Sequence, residues 1–555
     1  MLQHFMDKTF QSYEDLYENF QVTIPESFNF AYDVSDRWAE KSPDKRALVW
    51  CNDKGDSRTF TFGEIKYYSD KAANVFKKLG IGKGDPVMLV LKRHYEFWFA
   101  ILALHKIGAI CIPATHLLTE KDYIYRNNAA DVKLILAVGE DNVTAAIESS
   151  ESASPSLLTK VILHGKRSGW INFQDELEMA SKSFDRPENT KKVSKEDILF
   201  LYFTSGTTGY PKMVRHNLNY PLGHIMTAKY WHNVKEDGLH FTVADTGWAK
   251  SVWGKIYGQW LCGAAVMVYD YDKFVPVEML AVIAKYQVNT FCAPPTVYRF
   301  LINEDFNQVD LTHLEYCTTA GEPLNPEVFN QFFKLTGLTL MEAYGQTELT
   351  VAIATFPWLT PKPGSMGKPS PGYCIELIDT EGNICEDGQT GQIVLNIKKS
   401  KPLGLFDGYY RNDEKTNQVL IDGWYYTGDT AWRDEDGYYW FVGRSDDIIK
   451  SSGYRIGPFE VESALLEHPG VLECAITGVS DALRGQIVKA TVILSDSYQP
   501  GNDDLKKELQ DHVKKVTAPY KYPRVIEFVK SLPKTISGKI RRVEIREQDS
   551  PQLPN

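Results

Sequence analysis

The chain has 555 residues, with 61 Lys+Arg against 72 Asp+Glu and a formal net charge of −11, a balance that argues against broad nucleic-acid binding. Its length admits about two to four domains with a sizeable core, and 43% hydrophobic with 24% charged residues is the composition of an ordinary soluble globular protein. The eight cysteines are scattered without a close pair, which excludes a cysteine zinc cluster or a CxxC redox motif and predicts reduced, mostly buried thiols. Met1 to Asp7 lacks the basic start and apolar core of a signal peptide, and the apolar run from Phe97 to Leu104 is too short to span a bilayer. The expected location is the cytoplasm, with no membrane insertion.

Up to about Phe28 the chain is polar and aromatic and predicts helix draped over a main body. From Pro86 the pattern predicts a strand (Val87 to Leu91), an apolar helix (Tyr95 to Ile107), a strand (Ala109 to Ile112), a helix and a strand (Val132 to Val138). Such alternation implies parallel sheets covered by helices. The apolar run Ile198 to Phe203 predicts a buried strand, followed by Thr204-Ser205-Gly206-Thr207-Thr208-Gly209-Tyr210-Pro211-Lys212. Small residues expose backbone N–H groups, hydroxyls add donors and Lys212 adds positive charge, a combination suited to a polyphosphate. A Walker loop needs Lys followed by Ser or Thr directly after its last glycine; Tyr210-Pro211 intervene here and Met213 follows, so a mononucleotide phosphotransferase is disfavoured.

Further along, Asp245-Thr246-Gly247-Trp248-Ala249-Lys250 sets a glycine beside a bulky ring before a second apolar helix. Phe291 to Thr296 reads as a strand ended by a proline turn, and Thr318 to Leu324 as a strand and loop in which Gly321 permits close backbone approach. Met341-Glu342-Ala343-Tyr344-Gly345-Gln346-Thr347-Glu348 offers an aromatic face for a base, a hydroxyl for phosphate and a hard carboxylate for a hard cation. Tyr425-Tyr426-Thr427-Gly428-Asp429 ends on a carboxylate able to accept two hydroxyls. Phe441 to Ile456 is a charged, glycine-containing stretch of the kind found in linkers. Beyond it, Pro458 to Glu467 predicts a helix with proline in its first turn. Strands at Val471 to Thr477 and near Ala490 to Leu494 and a helix from Asp503 to Val516 predict a compact α+β domain. This region, 446–555, holds 16 Lys+Arg and 16 Asp+Glu, so the whole net charge lies in the first 445 residues. Within it, residues 530 to 546 carry Lys530, Lys534, Lys539, Arg541, Arg542 and Arg546 against Glu544 alone, a surplus that could attract phosphates.

The loop Thr204 to Lys212, the segment Tyr344 to Glu348, the Asp429 string, the Gly443-Arg444-Ser445-Asp446 stretch and Pro533-Lys534-Thr535-Ile536-Ser537-Gly538-Lys539 together resemble the adenylate-forming superfamily. That superfamily contains acyl-CoA synthetases, peptide-synthetase adenylation domains and beetle luciferases. The likeness covers about residues 30 to 545, and the wording around Trp248 looks most like the medium-chain acyl-CoA synthetase group. It implies a large α/β N-terminal adenylation domain with the acyl pocket (1–445) and a small mobile α+β domain (446–555), with Asp446 at the hinge. ATP would be bound by Thr204, Ser205, Gly206, Thr207, Thr208, Gly209 and Lys212, by Gly321, Glu322 and Pro323, by Tyr344, Gly345, Gln346 and Thr347, and by Asp429, Arg444, Arg455 and Lys539. Tyr344 would stack on adenine, Thr347 and Arg455 meet the α-phosphate, and Asp429 and Arg444 hold the ribose. Glu348 and Thr204 would hold Mg2+, Lys539 complete the adenylation site, and Ser452 with Gly453 line the coenzyme A passage.

Trp248 and Gly345 are implied in the acyl pocket. Acetyl-CoA synthetases carry tryptophan where this chain has Gly345, so the resemblance implies an acyl group longer or more branched than acetyl. The expected activity is a carbon-sulfur ligase joining a small-molecule carboxylic acid to CoA through an acyl-adenylate, with a homodimer compatible with the likeness. A stand-alone adenylation enzyme loading a carrier protein, or an aryl-CoA ligase, would share the ATP motifs. Nothing specifies oxygen chemistry, and a non-enzymatic scaffold would be expected to have lost Lys539 or Glu348.

Overall fold

The computed structural model describes residues 1–194, 196–204, 210–534 and 539–549. Two sheets with parallel centres form the frame. The first has seven strands in the order Ile171–Asn172, Thr159–Leu163, Leu134–Val138, Pro86–Val90, Ile110–Pro113, Ile198–Thr204 and Lys212–Asn217, parallel until its last pair. Its middle strands are wholly buried Val/Ile/Leu runs, as strands covered on both faces require. The second has nine strands, with Leu340–Gly345, Tyr316–Ala320, Thr290–Ala293, Leu239–Thr242, Ala265–Asp270 and Arg46–Asn52 as its parallel centre and antiparallel strands at both edges.

Local chemistry matches the elements. The helix Phe62–Lys78 starts with a capping box between Thr61 and Glu64, and Glu96–Ile107 stops at Gly108 in the left-handed region, where glycine has no side chain to strain. An antiparallel five-stranded sheet, including Trp424–Arg433 and Tyr439–Arg444, follows the two large ones.

The last region has its own five-stranded sheet and its own core of Ile449, Val461, Leu465, Ile476, Val492 and Leu509 among others. Its helix Asp503–Val516 is capped by the Asn502 side chain and buries Leu505, Leu509 and Val513, a four-residue spacing that keeps one face inward. The two strands expected here are longer, Val471–Asp481 and Gly485–Leu494, and they pair as one hairpin.

Two expectations need correction. The first 28 residues are mostly not helical, with a single 3-10 turn, Leu2–His4, and one short α-helix, Tyr13–Asn19, and buried side chains anchor them to the body. Phe5, Phe10, Leu16 and Phe28 are buried in the main core, and the Tyr13 hydroxyl donates to the Pro369 carbonyl at 2.8 Å. The basic run near the end is also not a surplus of open charge. Lys534 pairs with Glu473 at 2.8 Å, Arg542 with Glu462 at 2.7 Å and Arg546 with Asp447 at 2.5 Å, so carboxylates distant in sequence neutralise cations that are adjacent in it.

Seven of the eight cysteines are buried and Cys374 is half-buried, all as free thiols. Among the described residues no helix is long and apolar enough to cross a membrane.

Candidate active site

The predicted loop is the turn of a β-hairpin: Thr204 ends one strand and faces Lys212, which begins its antiparallel partner. No helix follows it, which separates it from a Walker loop. Ser205, Gly206, Thr207, Thr208 and Gly209 lie outside the described residues. The Lys212 ammonium sits 4.9 Å from the Tyr409 ring centre, and burial holds it below its ordinary range while Glu348 pulls it back. The Tyr409 hydroxyl donates to Glu348 Oε1 at 2.9 Å. Lys212, Tyr409 and Glu348 therefore form one group, although Tyr409 carried no signal in sequence. The Glu348 carboxylate and the Thr204 hydroxyl are hard oxygen donors, the set that suits Mg2+.

A second group surrounds Asp429. Tyr344 donates its hydroxyl to Asp429 Oδ2 at 2.7 Å, and Gln346 Nε2 reaches the same oxygen at 2.6 Å. Gln346 is braced in turn by the Thr427 carbonyl (2.9 Å) and by the Tyr425 hydroxyl (2.7 Å). Arg444 stands across the ladder from Asp429 and pairs with Asp446 at 3.1 Å. Burial pushes the Asp429 carboxyl up, against the opposing pull of Arg444, the two hydrogen bonds and Lys539. Lys539, far along the chain, is thus close enough to act electrostatically on Asp429, and it acts likewise on Lys250.

The loop Gly321 to Leu324 closes another side. Gly321 takes a φ of +108°, and a Cβ there would meet Lys250 Nζ at 3.6 Å. Lys250 donates to the Ala320 carbonyl, and burial holds its ammonium below the ordinary range. Glu322 ties the loop down by accepting the Thr296 backbone N–H at 2.8 Å, and half-buried Pro323 leads to Leu324. Beneath the loop Glu342 Oε1 accepts the Leu324 N–H at 3.1 Å. Burial pushes this carboxyl up to about 8.

Gly247 packs its backbone against the turn at residues 114–115, where a Cβ would lie 2.3 Å from Ala114 C and Thr115 N. Trp248 caps the helix Ala249–Gly254, and its indole N–H is buried with no hydrogen-bond partner among the described residues. Gly345 does not face open space. A Cβ there would lie 2.5 Å from Thr350 O and 2.5 Å from Trp253 Cη2. Trp253, from another element, fills the space beside Gly345. Sequence reading passed over Trp253 as one more apolar residue of a helix.

Thr347 lies half-buried beside this cluster, and its carbonyl meets His216 Nε2 at 2.7 Å. Ser452, Gly453 and Arg455 are placed elsewhere. All three are exposed on the hairpin of Ile449–Ser451 and Tyr454–Ile456, where the Ser452 N–H meets the Arg484 carbonyl at 3.0 Å. The hairpin's domain rests on the large body through Asn325 Nδ2 and the Ser463 carbonyl at 3.3 Å.

A hairpin loop, a buried carboxylate braced by a tyrosine, and a lysine brought to them from a second α+β region define a nucleotide-site enzyme built from two units. The description "AMP-binding enzyme" matches residues 35–410, and "AMP-binding enzyme C-terminal domain" matches 460–539. The chain belongs to the AMP-binding enzyme family.

It is 40% identical over 551 residues to acyl-coenzyme A synthetase ACSM3, mitochondrial, of Homo sapiens, with 98% of this chain and 93% of that one covered. It is 43% identical over 535 residues to acyl-coenzyme A synthetase ACSM4, mitochondrial, of Mus musculus, covering 95% and 91%. Among solved structures it superposes on the anthranilate CoA ligase AuaEII in complex with anthranoyl-AMP with a TM-score of 0.86 at 30% identity, over 95% of this chain and 98% of that one.

Proposed function

We propose that the chain is an AMP-forming acyl-CoA synthetase for acids of medium length or short branched chains. Acid, ATP and CoA are its substrates. What supports this reading is that Lys539 acts electrostatically on Asp429 while Glu348 and Asp429 both act on the buried Tyr425, in a chain about 40% identical over nearly its whole length to named acyl-CoA synthetases.

A carboxylate is a poor electrophile, so it first needs a leaving group. Its oxygen attacks the ATP α-phosphorus in line, the bond to the β-phosphate oxygen breaks, and pyrophosphate departs with the electron pair, leaving acyl-AMP. No protein nucleophile is needed; the work is positioning and charge stabilisation. Asp429 accepts ribose hydroxyls, Tyr344 presents its ring to adenine with its hydroxyl fixed on Asp429, and Lys539 lies between carboxylate and α-phosphate oxygens. Thr204 and Glu348 hold Mg2+, which when bound offsets phosphate charge.

The CoA thiolate then attacks the acyl carbon and AMP leaves. Ser452, Gly453 and Arg455 share one exposed hairpin, which supports assigning all three to this second step. For Arg455 that replaces the expected α-phosphate contact. The boundary at residue 446, the hinge at Asp446 and rotation of 446–555 between the steps belong to the same reading. So does placement in the cytoplasm, although the named relatives are mitochondrial, and so does a homodimer.

The test is carboxylate-dependent release of pyrophosphate and AMP from ATP, with and without CoA, across acetate, propionate, branched C4 to C6 acids, octanoate and benzoate. Turnover requiring CoA and favouring acids larger than acetate is expected. Pyrophosphate release without CoA acylation would replace the reading with a carrier-loading adenylation enzyme, and benzoate preference with an aryl-CoA ligase.

A further inference from the structure

We propose that His94, Glu96 and His164 form a site for one divalent cation of the zinc type, separate from the Glu348 pair. His94 and Glu96 lie where the strand Pro86–Val90 gives way to the helix Glu96–Ile107, and His164 follows the strand Thr159–Leu163. Between those strands runs Leu134–Val138, so the three residues bridge over the end of an intervening strand. That strand ends at Gly139, where a Cβ would lie 2.0 Å from the His164 carbonyl. The absent side chain is what lets His164 fold over.

One nitrogen of each histidine and one oxygen of Glu96 lie within 4.8 Å of one another, and His164 Nε2 is 3.6 Å from Glu96 Oε1. Zinc bonds of about 2.0–2.1 Å in tetrahedral geometry place neighbouring ligand atoms about 3.3–3.4 Å apart. Two imidazoles and one carboxylate, with a fourth position left for water, are a zinc-type donor set; Mg2+ and Ca2+ prefer oxygen throughout.

Glu96 supplies the second, independent observation. It is 4% exposed, and its Oε2 is buried without a hydrogen-bond partner among the described residues, a costly state for a carboxylate. Most neighbouring cations are engaged elsewhere, and Arg58 also acts on Glu96 electrostatically. Lys92 pairs with Glu140 at 2.6 Å and Asp272 at 2.8 Å, Arg93 stands 3.5 Å from Asp245 and 3.7 Å from Asp270, and Arg58 lies against Glu64 at 3.6 Å. The local balance is therefore short of positive charge.

Both imidazoles are oriented from behind, as metal-bound histidines usually are. Asp270 Oδ2 is 3.6 Å from His94 Nδ1. Gln174 Nε2 is 2.8 Å from His164 Nδ1, and Gln174 Oε1 accepts the His164 backbone N–H at 3.1 Å. With the ion on Nε2, His164 Nδ1 carries the proton, so Gln174 gives up its Nε2 contact there and holds His164 through the backbone N–H.

The test uses the full chain, stripped with EDTA, dialysed, and titrated with ZnCl2 by calorimetry in the absence of ATP and Mg2+. One zinc per chain and a zinc-dependent rise in Tm are expected, and Co2+ in place of zinc should give the visible spectrum of a nitrogen- and oxygen-ligated ion. His94→Gln and His164→Asn should each lose about 100-fold or more in affinity, beyond the 10- to 100-fold typical of outer-shell changes. Asparagine suits position 164 because His164 has a φ of +58°, a region asparagine tolerates. Failure of the parent to bind zinc, or binding by His94→Gln and His164→Asn equal to the parent's, overturns the proposal.

Discussion

The Tyr344 hydroxyl donates to Asp429 Oδ2 at 2.7 Å, which joins the end of a strand in the nine-stranded sheet to the middle of a strand in the antiparallel sheet. The ring proposed to face the base and the carboxylate proposed to face the sugar are thereby held together. Asp429→Asn keeps the shape and removes the charge. Hydrogen bonds to charged groups contribute about 1.5–3 kcal/mol, so KM for ATP should rise about 10- to 100-fold, with a smaller rise in Tyr344→Phe. Initial rates of pyrophosphate release against ATP concentration check both, and an unchanged KM in Asp429→Asn would remove the carboxylate from the ribose.

Lys539 reaches Asp429 and Lys250 electrostatically from the small unit. Lys539→Ala should slow adenylate formation about 100- to 1000-fold, the scale of losing one preorganised electrostatic contact. It should leave CoA acylation from supplied acyl-AMP largely intact. Rapid-quench assays of the two half-reactions separate these outcomes, and equal loss in both would sink the assignment.

Trp253 Cη2 occupies the space that a Cβ at position 345 would need. Trp253→Ala should move acid preference towards longer chains, by about 0.8 kcal/mol, or roughly fourfold in kcat/KM, for each methylene newly buried. Gly345→Ala collides with the Thr350 carbonyl as well as the indole and should cost about 1–3 kcal/mol as overpacking. A chain-length series of kcat/KM on both variants, with Tm, decides whether Trp253 is the floor of the pocket.

Glu342 is buried and titrates at about 8, above its ordinary 4.5. With the folded value raised, the native state holds a proton that the unfolded chain has released between pH 4.5 and 8. Its contribution to stability is therefore full below about pH 4.5 and falls by up to about 1.4 kcal/mol per pH unit until pH 8. Glu342→Gln should show a smaller drop in Tm between pH 5.5 and pH 8 than the parent does. Parallel pH profiles for the two proteins would refute the assignment of that slope to Glu342.

Much of this architecture was legible in the chain. The helix expected from Asp503 to Val516 occurs with those bounds, because leucine and valine at four-residue spacing and an asparagine cap act locally. The alternation from Pro86 to Val138 was legible for the same reason. What could not be read depends on contacts between segments well separated in the chain, 61 residues apart for Tyr409 and Glu348. Trp253 reaches Gly345 and Tyr409 reaches Glu348 only through sheet order, and no pattern around Tyr409 marks it. The basic run misled because its carboxylate partners, Glu462, Glu473 and Asp447, come from elsewhere in the small unit. Arg455 pairs with Lys450 on the exposed hairpin of the small unit, a placement that a linear string does not reveal.

The pairing of Thr204 with Lys212 across a six-rung ladder also bears on how this loop tolerates change. A strand that slips by one residue turns every side chain to the opposite face, which would put half-buried Lys212 in the place of buried Met213. Both ends are consequently pegged, and a residue inserted or deleted between them cannot be absorbed by sliding. The small and hydroxyl residues that suit this stretch to phosphate restrict its composition as well, so a library aimed at nucleotide preference should leave Thr204 to Lys212 unchanged.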